Sequence, residues 1–500
     1  MSIKNDTVSF HNVLLCPLIF LMPFRQMFLP KTEFNLQKDI CRIDSIQHDT
    51  IIHIKDFGAI ADGTTNCTES FKKASEFLQI NGGTLIIDPG LYIVGKQILS
   101  RNFGAGSSYV SMPILSFKNA KFPIKITGHK AILKLADGLK YGSFNPVSGA
   151  KDSIRKEGNR SDYYASAGTL INAVGCVSIS IDGLTLDGNS GKLDIGPSFG
   201  EEGIQLAATG IGLYSNKHAD VANCCIHHCA LDAIIVSWTG LKDTDPVYTH
   251  TIKNVTATYN GRQGISWVGG NNLTVVNSEF SSTGKALNNG VPVISKPSAG
   301  IDIEIESSII KNGNFIGCRI YDNAGPGLSS IGHDTYNINF KNCTFIGTTN
   351  SAAYPKSQGF SFDSCTFVGM VQRIFGSADK SKAISFKDCL FTMDKKRSPN
   401  GKVFGKSWEF YEGQNVIFDH CVFDAKSRRL PIFNTPEIVF LNCTFSQNSD
   451  ENFDAAAIFK GTTKFVMKGK GKIDASKTIV RGALIYNNQK IKDLNQVRDQ

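Results

Sequence analysis

No stretch of this 500-residue chain is apolar for long enough to cross a bilayer. The nearest approach, Val13 to Phe24, is short and interrupted by Pro17 and Pro23. With Lys4 before it and Arg25 after it, the segment reads as the apolar region of an imperfect signal peptide, or as a hydrophobic N-terminal arm; no small-residue cleavage site follows. Residues 1–45 are therefore set apart from the domain, and a secreted or cell-envelope address is the expectation. Charge is also scarce, at 19% of residues, and it forms no dense Lys/Arg stripe with interleaved aromatics, which excludes nucleic acid as the expected partner. The net charge of +9, spread over 53 basic and 44 acidic residues, still permits an anionic partner such as an acidic glycan. What the chain does have is 41% hydrophobic residues and 47 glycines, the composition of an ordered, turn-rich fold. Its 13 cysteines are odd in number and sit in a large chain, so they do not read as a disulfide framework.

The first patterned stretch runs from Ile51 to Gly95. A short strand turns at Asp62-Gly63, and a helix follows with Thr68 as expected N-cap and Phe71, Ala74 and Leu78 on one face. Asn81-Gly82-Gly83 ends the helix; strands Thr84–Ile87 and Leu91–Val94 flank a Pro89-Gly90 turn. Asp56-Phe57-Gly58-Ala59, Asp62-Gly63-Thr64, Gly82-Gly83-Thr84 and Pro89-Gly90-x-Tyr92 together resemble the N-terminal signature of the pectate-lyase-like β-helix superfamily, the group of polygalacturonases, rhamnogalacturonases and related epimerases. The resemblance implies an all-β, right-handed parallel β-helix whose open end is plugged by the helix. Asn66-Cys67 departs from the pattern, where relatives often carry acidic residues.

From about residue 170 the chain repeats. An Asn or Asp lies near a Cys, and a Phe follows two residues on, at Cys343, Cys365, Cys389, Cys421 and Cys443, with spacings of 22, 24, 32 and 22. Such periods imply stacked units, too short to hold a crossover helix, and so a solenoid of parallel strands. One domain over 50–500 is expected, with a cap at 50–95 and coils over about 115–480. Some twelve coils at about 4.8 Å each would span about 60 Å. Cys318 and the five later cysteines should point inward as a ladder of thiols. The run Cys224-Cys225-Ile226-His227-His228-Cys229 has the residue types of a zinc site, but alternation sends its side chains to opposite faces, and no metal ligands are assigned from it. Asp137–Gly168, with Tyr141, Phe144, Tyr163 and Tyr164, and Gly284–Ser298 read as unstructured insertions walling a groove.

Aligning coils on their Gly-apolar starts places Ile235, Ser266, Asp302 and Ser329 in one outward column, with Glu304 and Glu306 further along the same strand face. Like charges that close raise at least one carboxyl pKa, which suits general acid work; the trio would equally suit a hard cation such as Ca²⁺, the one cofactor considered. The expected catalytic groups are Asp302, Glu304 and His333. Arg262, Ser266 and Glu306 are the expected substrate-binding groups, with Arg262 as clamp for a carboxylate or else as a structural partner of Asp302 or Asp232. Trp267 is expected inside, or as a sugar platform if the register slips. Asn260-Gly261-Arg262-Gln263-Gly264-Ile265-Ser266 with Ala299-Gly300-Ile301-Asp302-x-Glu304 also resembles a pattern found in many uncharacterised β-helix proteins. The polygalacturonase motifs are absent: there is no Asn-Thr-Asp or Arg-Ile-Lys, and Gly332-His333-Asp334 stands where that family has Gly-His-Gly. The Asp-Pro-His triplet of alginate epimerases is missing too, the analogous coil reading Ile235-Val236-Ser237. The leading expectation is an enzyme cleaving a polysaccharide, acidic in character, by hydrolysis or β-elimination. The alternatives are a glycan-binding rod, monomeric or a side-by-side trimer like a tailspike or adhesin, and a polysaccharide epimerase.

Overall fold

The computed structural model describes residues 50–491 except 101–106, 153–163, 198–204, 307, 333, 411–412, 431, 434–436, 455, 470–472 and 475–477. The N-terminal arm, Tyr163 and His333 thus lie outside the described residues. Asp49–Gln500 forms one compact unit.

At its start, strand Ile51–His53 pairs in parallel with Gly83–Ile86, and helix Thr68–Asn81 lies against strand Leu115–Lys118 at the end of the stack. Phe71, Ala74 and Leu78 form the buried face of the helix, and the Gly82 N–H closes it on Leu78 O at 2.7 Å. The expected cap is corrected by one residue. Cys67 holds the N-cap position and Thr68 is already helical, because the Asn66 side chain performs the capping: its Oδ1 accepts from both Thr68 N (3.1 Å) and Thr68 Oγ1 (2.6 Å).

Beyond the cap, each coil lays down short parallel strands that pair with those of the coils before and after. Thr249–Lys253, Thr256–Thr258 and Gln263–Trp267, for example, sit on His218–Ala222, Cys225–His227 and Asp232–Ser237. The polar residue at the turn of each coil, directly before the Cys in most of them, has a physical reason. Asn223, Asn254, Asn277, Asn342, Ser364, Asp388, His420 and Asn442 all have φ between 47° and 55°, the left-handed turn that short polar side chains tolerate best. The turn side chains also bond coil to coil, as in Asn223 Nδ2 to Asp182 Oδ1 (2.8 Å) and Asn254 Nδ2 to Asn223 Oδ1 (3.0 Å).

That turn aims the following Cys inward. Cys318, Cys343, Cys365, Cys389, Cys421 and Cys443 are buried free thiols whose Sγ atoms donate to carbonyls, such as Cys343 to Phe315 O (3.3 Å) and Lys341 O (3.4 Å). Two phenylalanine columns flank them. Phe340, Phe362, Phe386, Phe418 and Phe440 stack at 4.7–5.0 Å, and Phe345, Phe367, Phe391, Phe423 and Phe445 at 4.6–5.1 Å. Each such pair contributes about 0.5–1.5 kcal/mol beyond area burial, so identical residues in register reinforce the pairing the backbone makes. The last strands, Ile458–Met467 and Ile479–Tyr486, are parallel, and Gln489–Ile491 turns back antiparallel on the second of them.

The insertions differ from expectation by having structure of their own. Gln97–Leu99, Ser107–Ser111, Lys140–Ser143, Tyr164–Ala165 and Asp194–Ile195 make a side sheet that buries Tyr141 and Phe144 instead of presenting them to a groove. Within Gly284–Ser298, Leu287–Asn288 and Val291–Pro292 form a hairpin reaching back across the coils, where Asn288 Nδ2 donates to Ser190 O (2.9 Å) and Leu193 O (2.8 Å).

Candidate functional site

One face of the coils is an eight-stranded parallel sheet running from Leu115–Lys118 to Ala353–Pro355. Its central strands are Asp232–Ser237, Gln263–Trp267, Ala299–Glu304 and Leu328–Ile331. Their register is the one read from the Gly-apolar starts: Ile235 opposes Ser266, Ser266 opposes Asp302, Asp302 opposes Ser329, and Glu304 opposes Ile331. Two glycines permit this stacking. A Cβ on Gly264 would come within 2.5 Å of Gly300 O, and one on Gly300 within 2.5 Å of Ile320 Cγ2. Trp267, on the opposite side of its strand from Ser266, fills the interior beside Phe315.

Arg262 is only 6% exposed. It is not open to a ligand: Nε meets Asp232 Oδ1 at 2.8 Å, Nη2 meets Oδ2 at 2.5 Å, and Nη1 bonds Gln205 Oε1. This is the structural pairing that the sequence left as the alternative to a substrate clamp. Burial on its own would lower the pKa of the guanidinium, but the charge of Asp232 outweighs it and keeps Arg262 protonated. Asp232 is completely buried, so each member of the pair removes the cost of burying the other.

Asp302 lies beside this pair and is 3% exposed. Gln263 Nε2 donates to its Oδ2 at 2.6 Å. Burial, followed by the charge of Glu304, pushes the Asp302 carboxyl up to about 7, against the opposing pull of Arg262 and the Ser329 hydroxyl. Burial also raises Glu304, which is half-buried at the end of the strand, while Glu306 beyond it is exposed. Burial thus favours the protonated form of both carboxyls, and Asp302 is the one raised into the neutral range. Ser266 Oγ and Gln263 Oε1 are buried with no hydrogen-bond partner among the described residues. The structure therefore brings Arg262, Ser266, Asp302 and Glu304 into one cluster, with Glu306 at its edge; His333 falls outside the described residues.

Sequence reasoning missed Gln263, Gln205 and Trp238. Gln263 had a signal, because it stands in register with Asp232 and adjoins Arg262. Gln205 had none, since it lies outside the strands whose repeat could be read. Trp238 immediately follows strand Asp232–Ser237, stacks on Tyr248 at 4.4 Å, and accepts at its carbonyl from Ser308 Oγ, two residues after Glu306. A second grouping, Asp187, His227 and His228, also brings potential metal-ligating atoms together.

Residues 209–396 match the family model described as a right handed beta helix region. The chain is a right-handed parallel β-helix. Among solved structures, this β-helix is similar to the A-module of a mannuronan C-5 epimerase from Azotobacter vinelandii, at 14% identity and a TM-score of 0.37 over 86% of this chain and 98% of that one. It is also similar to a capsular polysaccharide depolymerase tailspike from an Acinetobacter baumannii bacteriophage (11%, 0.38, 84% and 64%) and to the surface adhesin PfbA of Streptococcus pneumoniae (12%, 0.35, 88% and 91%). No curated protein matches. At such identities the likeness concerns the fold alone. Among the described residues no helix is long and apolar enough to cross a membrane.

Proposed function

We propose that this β-helix hydrolyses a polysaccharide laid across the coils of residues 232–331. The observation that carries the reading is the neighbouring carboxyls Asp302 and Glu304, both raised by burial, Asp302 to about 7. Glu304 is the member open to solvent and the one to meet the glycosidic oxygen. Asp302 sits behind it and sets how firmly it holds its proton.

Hydrolysis is favoured over β-elimination and epimerisation by the closure of Arg262 on Asp232. Both of the latter depend on neutralising the uronate carboxylate, and the guanidinium suited to that in this cluster is engaged. With carboxylates in excess over cations in the cluster, an uncharged sugar is expected at the cleaved bond, whatever charge the rest of the glycan carries. A glycan substrate of this kind agrees with an address outside the cell, the role that residues 13–24 would serve as a signal segment.

A reducing-end assay over a panel of neutral and acidic glycans, read together with absorbance from unsaturated uronates, tests the proposal. New reducing ends without that absorbance are expected, and Glu304→Gln should lower turnover by about 10²–10⁴-fold. Near-normal activity in both Glu304→Gln and Asp302→Asn would remove the assignment. The burial of Asp302, which keeps it from direct contact with a substrate, favours a second reading, a glycan-binding rod without turnover. Retention of a glycan with no new ends would support it.

A further inference from the structure

The proposed hydrolysis leaves unused a cluster outside the face that carries Asp302. Asp187 and His227 are register partners on adjacent coils, so their side chains lie one above the other. His228 follows in the left-handed turn, at φ 54°, and its ring is held flat against Tyr259, with centroids 5.3 Å apart and planes within 10°. The two imidazoles stand perpendicular, and their Nδ1 atoms approach to 2.9 Å. His227 Nδ1 is 3.5 Å from Asp187 Oδ1, and each residue is half-buried. Three atoms with ligand lone pairs thus converge from two coils within 4.8 Å of one another.

The spacing fits a coordinated ion. Ligands about 2.0–2.1 Å from a common centre would subtend about 90° across the two Nδ1 atoms and about 115° from His227 Nδ1 to Asp187 Oδ1, angles that bracket the tetrahedral value. Two cysteines of the same run are directed elsewhere, and Cys225, on the same strand face as His227, is not among the converging atoms. Cys224 and Cys229 are buried in the interior, with Sγ on Ala222 O (3.1 Å) and His227 O (3.9 Å). Asp187 is already oriented, with Asn189 N donating to Oδ1 at 2.8 Å and Lys134 Nζ 3.9 Å from Oδ2. We propose that Asp187, His227 and His228 form a binding site for a divalent transition-metal ion of the Zn²⁺ class. Two imidazoles and one carboxylate match the preference of such ions over Ca²⁺ or Mg²⁺, and three protein ligands leave a position for water.

The test is equilibrium dialysis of the full chain, stripped with chelator, against Zn²⁺, with Co²⁺ as spectroscopic probe. One equivalent of Zn²⁺ is expected, with affinity falling at least about tenfold in His227→Ala, His228→Ala and Asp187→Asn and unchanged in Cys225→Ser and Asp302→Asn. Bound Co²⁺ should show ligand-field bands without thiolate charge transfer. Circular dichroism confirms that each variant keeps its strands. Binding that survives both histidine replacements, or that disappears only in Cys225→Ser, would overturn the proposal. So would no binding at all, which would make the short Nδ1–Nδ1 approach a hydrogen bond between neutral rings. Because Asp302→Asn leaves this site intact, failure of the metal site and failure of the hydrolase reading are separately visible.

Discussion

Replacing Asp302 with Asn should stabilise the fold, and increasingly so as pH rises. Burial lifts this carboxyl from 3.8 to about 7. Between those two values the folded protein holds a proton that the unfolded chain has lost, so stability falls as pH rises through the window. At pH 8 the whole shift acts against the folded state. Its 3.2 units (7 minus 3.8), at 1.36 kcal/mol each, set a ceiling of about 4 kcal/mol. Because Glu304 shares the titration, about 2 kcal/mol is expected from Asp302 alone. Asn keeps an acceptor for Gln263 Nε2 and adds a donor that can face Glu304, so the replacement removes the charge without orphaning its neighbours. Urea unfolding of both proteins at pH 4, 6 and 8, with unchanged m-values, measures the difference. The curves should nearly coincide at pH 4 and separate toward pH 8, with the variant more stable and less active, a cost that functional sites commonly impose. A pH-independent difference, or a less stable variant at pH 8, would refute the reasoning.

Two further outcomes follow from the packing. Arg262→Met leaves Asp232 buried with an uncompensated charge and should cost about 3–5 kcal/mol in the same unfolding assay, most of it recovered when Asp232→Asn is added; equal losses in the single and double variants would contradict the pairing. Alkylation of the native protein, mapped by mass, should modify Cys225 first among the described cysteines, because the others are buried and the columns from Cys318 to Cys443 open only on unfolding; rapid labelling of Cys389 would contradict the inward column.

The fold was readable because its signals are local and recur. An Asn or Asp that accepts a left-handed turn, the Cys that the turn sends inward and the Phe two residues later appear coil after coil, and the Gly-apolar starts align the strands between them. Alternation then assigns the faces, which is why Ser266, Asp302 and Ser329 could be placed in one column without coordinates. The same logic kept Trp267 inside and separated Cys224 from His227; Cys229 goes inward only because His228 takes a left-handed turn before it. It did not foresee that the insertions form a side sheet, since their strands are short and irregularly spaced.

The chain's repeats by themselves determined the winding, the interior columns and which residues neighbour one another from coil to coil, because period and side-chain alternation are properties of sequence order. Tertiary structure decided what those neighbours do. Arg262 turned to Asp232 and Gln205 and away from solvent, Asp302 became buried enough to keep its proton, and Asp187 met two histidines about forty positions along the chain. Each of these depends on side-chain direction and on insertions packing over the coils, and no linear pattern encodes either.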